Sequence, residues 1–518
     1  MNRYALEISK GSGFIEKWLR FSFLFLVCLV HTHTLIGQAI PDTVTAAQSF
    51  MTEVGGFGSS ATQTPFWFRS RQYGTVPLKG PAGLVRMGLT KQFGDFRSSR
   101  NVHVKVAVEG VANVGTSSRL ILPVAYVSLL LKHFELYAGR RREVFGLADT
   151  LLSSGSYAWS GNALPLYKIQ FGTRGYVPLG FTKGIVALNG LYAHGWFSNT
   201  DSIQNSFLHQ KALFARISLF HNRVRLYGGL THYAQWGGNS SIYKSGITVH
   251  GKIPSSLQTY RDIILVRQPP SDTTQYSAFD LLNQAGNHLG SIDMALEIDN
   301  AQANWFLYYQ HPFEDKSGVA FQNMPDGLYG IRWKNKRTDP YSSFRLVQIT
   351  AEFLTTLNQT GFDFNIGSRL YNGADDYFNN YQYLDGWTHR QRVIGTPFLT
   401  RWLDSREDLH DIKGGYKNYS PMMISNNRVQ VTHLGLLGQW PSGTQLRALL
   451  SYSRNFGRPI RSDSRTPLPQ FSGMTELMLP VQWLGGCQLN LALALDQGQW
   501  LTNNVGGWLS IRKVIQKR

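Results

Sequence analysis

Residues Val102–Gly110 read V-H-V-K-V-A-V-E-G. Four valines alternate with His103, Lys105, Ala107 and Glu109. Successive side chains of a strand point to opposite faces, so this segment has one apolar face and one mostly polar face. The pattern returns at Gln488–Asp496, Q-L-N-L-A-L-A-L-D. Strands of this length and pattern suit a closed antiparallel barrel with lipid outside and a polar lumen inside. A bilayer tolerates no open sheet edge.

Apolar-alternating runs recur along the chain. They are Val85–Phe93, Val102–Val111, Ala125–Leu131, Phe134–Arg140, Gln170–Gly175, Gly184–Tyr192, Ala212–Phe220 and Val224–His232, then Ser291–Ile298, Asn304–His311, Gly327–Lys334 and Phe344–Thr355. Gly361–Leu370, Val429–Gln439, Gln445–Ser453, Leu477–Trp483, Gln488–Asp496 and Gly507–Lys513 complete about eighteen. Asn222-Arg223 and Pro441-Ser442-Gly443 read as short turns. Ser198–His209, Lys252–Leu289, Asn372–Asn427 and Asn455–Gly473 read as long polar loops. Short turns at one end and long loops at the other are the outer-membrane pattern, with some loops extracellular and some filling the lumen. Tyr137, Trp196, Tyr227, Trp236, Trp305, Trp333, Trp440, Trp483 and Trp508 lie near run ends and suit interfacial girdles.

Composition agrees. The chain has 518 residues and a mean hydropathy of −0.21, too polar for a helical membrane protein. Arg3, Lys10, Lys17 and Arg20 precede or flank the apolar Phe21–Val30, which is too short to span as a helix. This reads as a signal peptide over residues 1–37, with a cleavage site at Leu35-Ile36-Gly37. Cys28 follows Val27 rather than a small residue, which argues against lipidation. Removal of residues 1–37 leaves Cys487 as the sole cysteine, so no internal disulfide is expected, and lowers the net charge from +19 to +17. An exported, strongly basic protein favours acidic glycans or lipid phosphates and excludes nucleic acid. The chain therefore divides into the signal peptide (1–37), a periplasmic N-terminal segment leading into the barrel (38–84) and the outer-membrane barrel (85–518).

Three segments carry a resemblance. Tyr137–Leu166 contains Y-A-G-R-R-R-E-V-F-G and L-L-S-S-G-S-Y-A-W-S-G-N-A-L-P-L. Tyr371–Leu399 contains Y-N-G-A-D-D-Y-F-N-N-Y-Q-Y and G-W-T-H-R-Q-R-V-I-G-T-P-F-L. Gly414–Gly438 contains S-N-N-R-V-Q-V-T-H-L-G, and Pro65–Gly74 adds P-F-W-F-R-S-R-Q-Y-G. In this order they resemble the Wzi family of capsule-assembly outer-membrane proteins, in its Bacteroidetes-type form. The resemblance implies an 18-stranded barrel and a lectin-like role in binding capsular or exopolysaccharide and attaching it to the surface. It departs from the enteric pattern in two places. Residues 38–64 leave room for one short helix at most, hinted at by A-Q-S-F-M-T-E, rather than a helical bundle. The C-terminus, I-R-K-V-I-Q-K-R, lacks a final aromatic residue.

Sugar binding needs flat apolar platforms beside planar donors. Asp376–Arg392 has that mix, so Tyr377, Asn379, Tyr381, Trp387, Arg390 and Arg392 are the leading candidates. The same stretch also reads as a packed plug loop. Arg140 and Arg142 offer guanidinium groups for acidic sugar, or ion pairs with lumenal carboxylates such as Glu109. Trp159 and Asn162 offer loop chemistry, either toward sugar or toward their own backbone. The sequence calls for no cofactor and no metal. The histidines cannot be paired with a serine, G-x-S-x-G and H-E-x-x-H do not occur, and the acidic loop residues read as solvated rather than as paired catalytic carboxylates. The reading is a non-enzymatic barrel whose partners are an acidic surface polysaccharide, outer-membrane lipid and polysaccharide export proteins. The rivals are a passive porin and an outer-membrane hydrolase.

Overall fold

The alternation in Val102–Gly110 sets the two faces of the wall. Val108 is exposed on the outside while Glu109 is 8% accessible and faces the lumen. Leu491, Leu493 and Leu495 likewise line the outside, and Ala492, Ala494 and Asp496 the inside. The computed structural model describes residues 47–94, 102–199, 202–240, 242–243, 245–282, 284–337, 343–361, 373–409, 424–458, 466–482 and 485–517.

Eighteen strands form the wall. They are β1 (Gln48–Ser59), β2 (Ala82–Phe93), β3 (His103–Gly115), β4 (Arg119–Leu131), β5 (Phe134–Arg140), β6 (Tyr167–Thr173), β7 (Val186–Trp196), β8 (Phe207–Leu219) and β9 (Val224–Trp236), followed by β10 (Asn287–Asp299), β11 (Ala303–Phe313), β12 (Gly327–Asn335), β13 (Arg345–Thr355), β14 (Arg428–Gln439), β15 (Gln445–Gly457), β16 (Leu468–Val481), β17 (Cys487–Gly498) and β18 (Asn504–Lys517). Each pairs antiparallel with its sequence neighbour, and β1 closes the ring on β18 from Gln48↔Lys517 to Ser59↔Gly506. Full closure removes both edges, which hydrocarbon would leave unsatisfied. No helix of the described residues is long and apolar enough to cross a membrane.

Two expectations are corrected. The barrel begins at Gln48, not at residue 85, and A-Q-S-F-M-T-E is strand, not helix. Its alternation is weak because β1 is glycine-rich, and the glycines are there for closeness. A Cβ on Gly55 would sit 2.4 Å from the Ser510 Cβ across the β1–β18 seam. The basic C-terminus is no free tail, since β18 runs to Lys517. Of the eighteen expected runs, Gly361–Leu370 lies almost wholly outside the described residues. The others coincide with strands β2 to β18, and β1 is the strand the pattern missed.

The connections fall into two sets. At the end that holds Gln48 and Lys517 most links are short, such as Lys132-His133 between β4 and β5, with residues 174–185 between β6 and β7 a longer exception. At the far end most are long, Thr116–Ser118 between β3 and β4 being an exception, and three fold into the lumen: residues 60–81, 141–166 and the described parts of 356–427. The girdle expectation holds for Trp196, Trp305 and Trp333, which lie on the outer face. It fails for Tyr137, Tyr227 and Trp508, which face inward: Tyr227 donates to Glu297 and Trp508 stacks on Phe57. Trp483 lies outside the described residues.

The link between β9 and β10 instead lies against the outside of the barrel. Its helix α1 (Leu257–Leu265) is capped by Ser256, whose Oγ accepts from the Thr259 N–H at 3.1 Å. Tyr260 of α1 stacks on Trp236 at 4.9 Å. The wall beneath carries His194, His209, Lys211, His232 and His288. By alternation with exposed Leu213 and Leu230 these face outward. Lys211 donates to the Ile264 carbonyl near the end of α1, so the helix covers polar groups that would otherwise meet lipid.

Candidate functional site

The lumen is filled, and by aromatic side chains. Residues Phe66–Arg69 form one helical turn inside β16 and β17. The Trp67 indole N–H donates to the Ser472 carbonyl at 3.1 Å, and the Phe66 amide donates to Asp496 at 2.7 Å. Trp159 stacks on Tyr233 of the wall at 5.3 Å, and Trp387 packs edge-on to Trp159 at 6.2 Å. The Trp387 indole N–H donates to the Ala158 carbonyl at 2.9 Å. The three lumenal segments are thus stitched to each other and to the wall. The protein's main apolar core sits inside its barrel.

This decides where most of the sequence candidates lie. Trp387 and Tyr377 are wholly buried, and Trp159 is 5% accessible. Tyr377 donates to Asp326 at 3.1 Å and accepts from Asn323 at 2.6 Å. Asn379 bonds the amide and carbonyl of Ile424, at 3.0 and 2.9 Å, tying two parts of one long connection together. Asn162 donates to the Val393 carbonyl at 3.0 Å. Arg392 donates to the Val76 and Arg69 carbonyls. Burial, with Arg69 beside it, pushes its guanidinium down to about 9. The structure therefore places Tyr377, Asn379, Trp387, Arg392, Trp159 and Asn162 in the plug as packing and hydrogen-bonding residues.

The tandem arginines divide. Arg142 pairs with Glu109, and Arg141 pairs with Glu135 and Glu143, both at 2.8 Å. Burial works against an ionised Glu143, yet Lys168 at 2.7 Å and Arg141 hold it below the usual carboxylate range. Arg140 instead lies on the Tyr167 ring at 3.9 Å and donates to the Leu122 carbonyl at 3.2 Å.

Two candidates remain open to solvent. Tyr381 is 61% accessible and meets Phe279 edge-on at 6.1 Å. Arg390 is exposed at the tip of the hairpin Thr388–His389/Arg392–Val393. A groove that sequence reasoning did not single out opens at the same end of the barrel. Three short strands, Ile203–Gln204, Gly238–Ser240 and Lys252–Ile253, make a small sheet at the far end. Beside it opens a cavity of about 490 Å³, lined among others by Phe207, Asn239, His250, Lys252, Ser255 and Gln275. Among the described residues no carboxylate lines it. The Tyr383 hydroxyl donates to the Gly237 carbonyl at 3.2 Å, and Gln382 donates to the Ile247 carbonyl at 2.8 Å. The plug segment that carries Tyr381 is thereby fastened to the loop that builds the groove. The polar residues Asn239, His250, Lys252, Ser255 and Gln275 all come from the connection between β9 and β10, with no motif spacing among them.

No family model and no curated protein sequence matches the chain. In structure the barrel is similar to Wzi of Escherichia coli, described as an outer-membrane protein involved in group 1 capsule assembly and a carbohydrate-binding β-barrel. The two share 14% identity at a TM-score of 0.55, over 90% of this chain and 84% of that one. It is more loosely similar to Pseudomonas aeruginosa OccK2 in complex with glucuronate, at 10% identity and TM-score 0.40, over 91% of this chain and 98% of that one. A BenF-like porin from Pseudomonas fluorescens gives 9% identity and TM-score 0.44, over 91% and 99%. At these identities the Wzi likeness speaks for the fold.

Proposed function

We propose that this protein is an outer-membrane, lectin-like barrel that binds an acidic capsular or exopolysaccharide at its far, extracellular end and helps hold it at the cell surface. The observation that carries this reading is the filled lumen. A channel needs a continuous aqueous path, whereas Trp67, Trp159, Trp387, Tyr157 and Phe378 pack into a core across this one. What the barrel offers instead is the groove of Phe207, Asn239, His250 and Lys252, with exposed Tyr381 on the plug segment fastened to the same loop. The rings supply platforms for the apolar face of a sugar, the amide and hydroxyl groups bond its hydroxyls, and the cations meet its carboxylates. Each contact is modest, and a repeating polymer engages many copies at once. The role is binding rather than catalysis, with no cofactor. Export proteins for the same polymer are the natural protein partners.

The test is a binding isotherm of detergent-solubilised protein on immobilised surface polysaccharide from the host, across a salt series. The reading expects saturable binding that weakens with salt, since charge–charge attraction is screened. It also expects Lys252→Ala to lower affinity about five- to tenfold, or roughly 1–1.4 kcal/mol. Binding that ignores both salt and Lys252 overturns the groove. Absence of any binding overturns the function.

A further inference from the structure

The wall is uneven at one place. β4 begins at Arg119, yet its pairing with β5 ends at Ala125↔Arg140. Among the described residues, Arg119–Val124 has no strand partner on that side, although Arg119, Leu120 and Ile121 still pair with β3. Elsewhere the far-end tips of adjacent strands differ by three residues or fewer. The largest such offset is at β10, where Asn287 lies three residues beyond the Gly290↔Phe313 pair. Here the offset is six residues, on the order of 20 Å of strand. Gly139 marks where β5 turns away: its φ is +127°, and a Cβ there would sit 2.2 Å from the Ala125 carbonyl oxygen. The chain then enters the lumen and leaves a notch floored by Arg140 and Tyr167.

The notch opens sideways as well as upward. A bulge around Pro123 resets the alternation of β4, so that Leu120 and Leu122 face outward, 84% and 38% accessible. The apolar outer surface therefore continues past the floor of the notch, up its bare edge. Proline on an unpaired edge is a usual guard against pairing with other strands.

Cations gather at the same place. Arg119 is exposed, its register opposite lumenal Asn113, and it lies near enough to Arg392 to oppose its charge. Arg390 stands in the same relation to Arg140. Among the described residues no carboxylate pairs with Arg119, Arg140 or Arg390, while neighbouring Arg141 and Arg142 are both paired. Arg390 and Gln391 hold φ of +48° and +62°, where glycine or asparagine would sit more easily.

The geometry points to the notch as a binding site for the phosphate of an outer-leaflet lipid, with exposed Arg119 and Arg390 on the phosphate, Arg140 buried beneath them at 4% accessible as a fixed positive charge, and Leu120 and Leu122 on the outer face beside the bound lipid. Guanidinium groups suit phosphate because they donate in a planar fork. The site rests on the barrel's place in the outer membrane and stands whether or not the groove binds glycan.

The experiment is native mass spectrometry of the purified full chain in detergent, titrated separately with diphosphoryl lipid A, with the same lipid after enzymatic dephosphorylation, and with inorganic phosphate. Lipid A should be retained at least fivefold better than its dephosphorylated form, and millimolar inorganic phosphate should not displace it. Arg390→Gln and Arg119→Gln sit on exposed positions and leave the wall intact. Each should cut retention of lipid A severalfold with an unchanged melting temperature. Equal retention of the two lipids, or full retention by the double variant, overturns the proposal. Displacement of lipid A by soluble acidic polysaccharide also overturns it and assigns the notch to glycan.

Discussion

Trp387 and Tyr381 lie six residues apart in one segment and have opposite surroundings. Trp387 is wholly buried in the lumenal core, while Tyr381 is 61% accessible at the far end. The three consecutive arginines divide by partner rather than by burial: Arg141 and Arg142 form ion pairs inside the barrel, and Arg140, 4% accessible, lies on the Tyr167 ring at the floor of the wall notch with no carboxylate on it among the described residues. Residue type names a capacity, and the environment decides its use. In the plug, aromatic and guanidinium groups hold loops in place. At the far end and in the notch, the same groups are left with faces or charges unmatched.

The largest expected effect tests the plug side of this contrast. Trp387→Ala removes a buried ring and a hydrogen bond, and should cost about 3–5 kcal/mol of plug stability. A melting curve would show the loss, and planar bilayers would show an ionic current that the proposed reading expects the parent protein to lack. A variant that melts like the parent would mean that the plug is not the packed unit described.

A smaller effect comes from the acidic end of the plug. Burial, then Asp315, pushes Asp375 up to about 7. Its carboxyl accepts from Thr360 at 2.6 Å, and Asp326 and Asp376 lie near, with Arg458 on Asp376. A carboxyl raised above its unfolded value near 3.9 stabilises the fold while protonated, so this contribution is present at low pH and fades as pH rises through about 7. Melting temperature should fall between pH 5 and pH 8, and Asp375→Asn should flatten that dependence. An unchanged slope in the variant would assign the effect elsewhere.

The smallest effect is expected at the exposed aromatic. Tyr381→Ala should lower polysaccharide affinity about two- to fivefold, roughly 0.4–1 kcal/mol, and leave the melting curve in place. Loss of stability instead would move Tyr381 to the plug side of the comparison.

How much of this was legible in the sequence follows from the same contrast. Strand periodicity is local, so the wall could be read from β2 to β18. β1 escaped because Gly55, Gly56 and Gly58 replace the apolar side chains that would have marked it. Tyr381 and Arg390 stand within the stretch the sequence singled out, but their exposure depends on which side of a folded loop meets the core. Asp376–Arg392 has the same composition whether it faces water or Trp159. The groove depends on one long connection folding back on itself, Gly238 beside Ile253, and the notch on a β5 that ends six residues short of β4's tip. Strand periodicity reports neither the fold of a connection nor where a strand leaves the wall.

The most direct test of the central claim measures two properties on one preparation: ionic conductance in planar bilayers and binding to the host's own surface polysaccharide. A silent bilayer together with saturable, salt-sensitive binding that falls in Lys252→Ala is the expected result. A steady open conductance with no polysaccharide binding at any salt would contradict the account and make the barrel a pore.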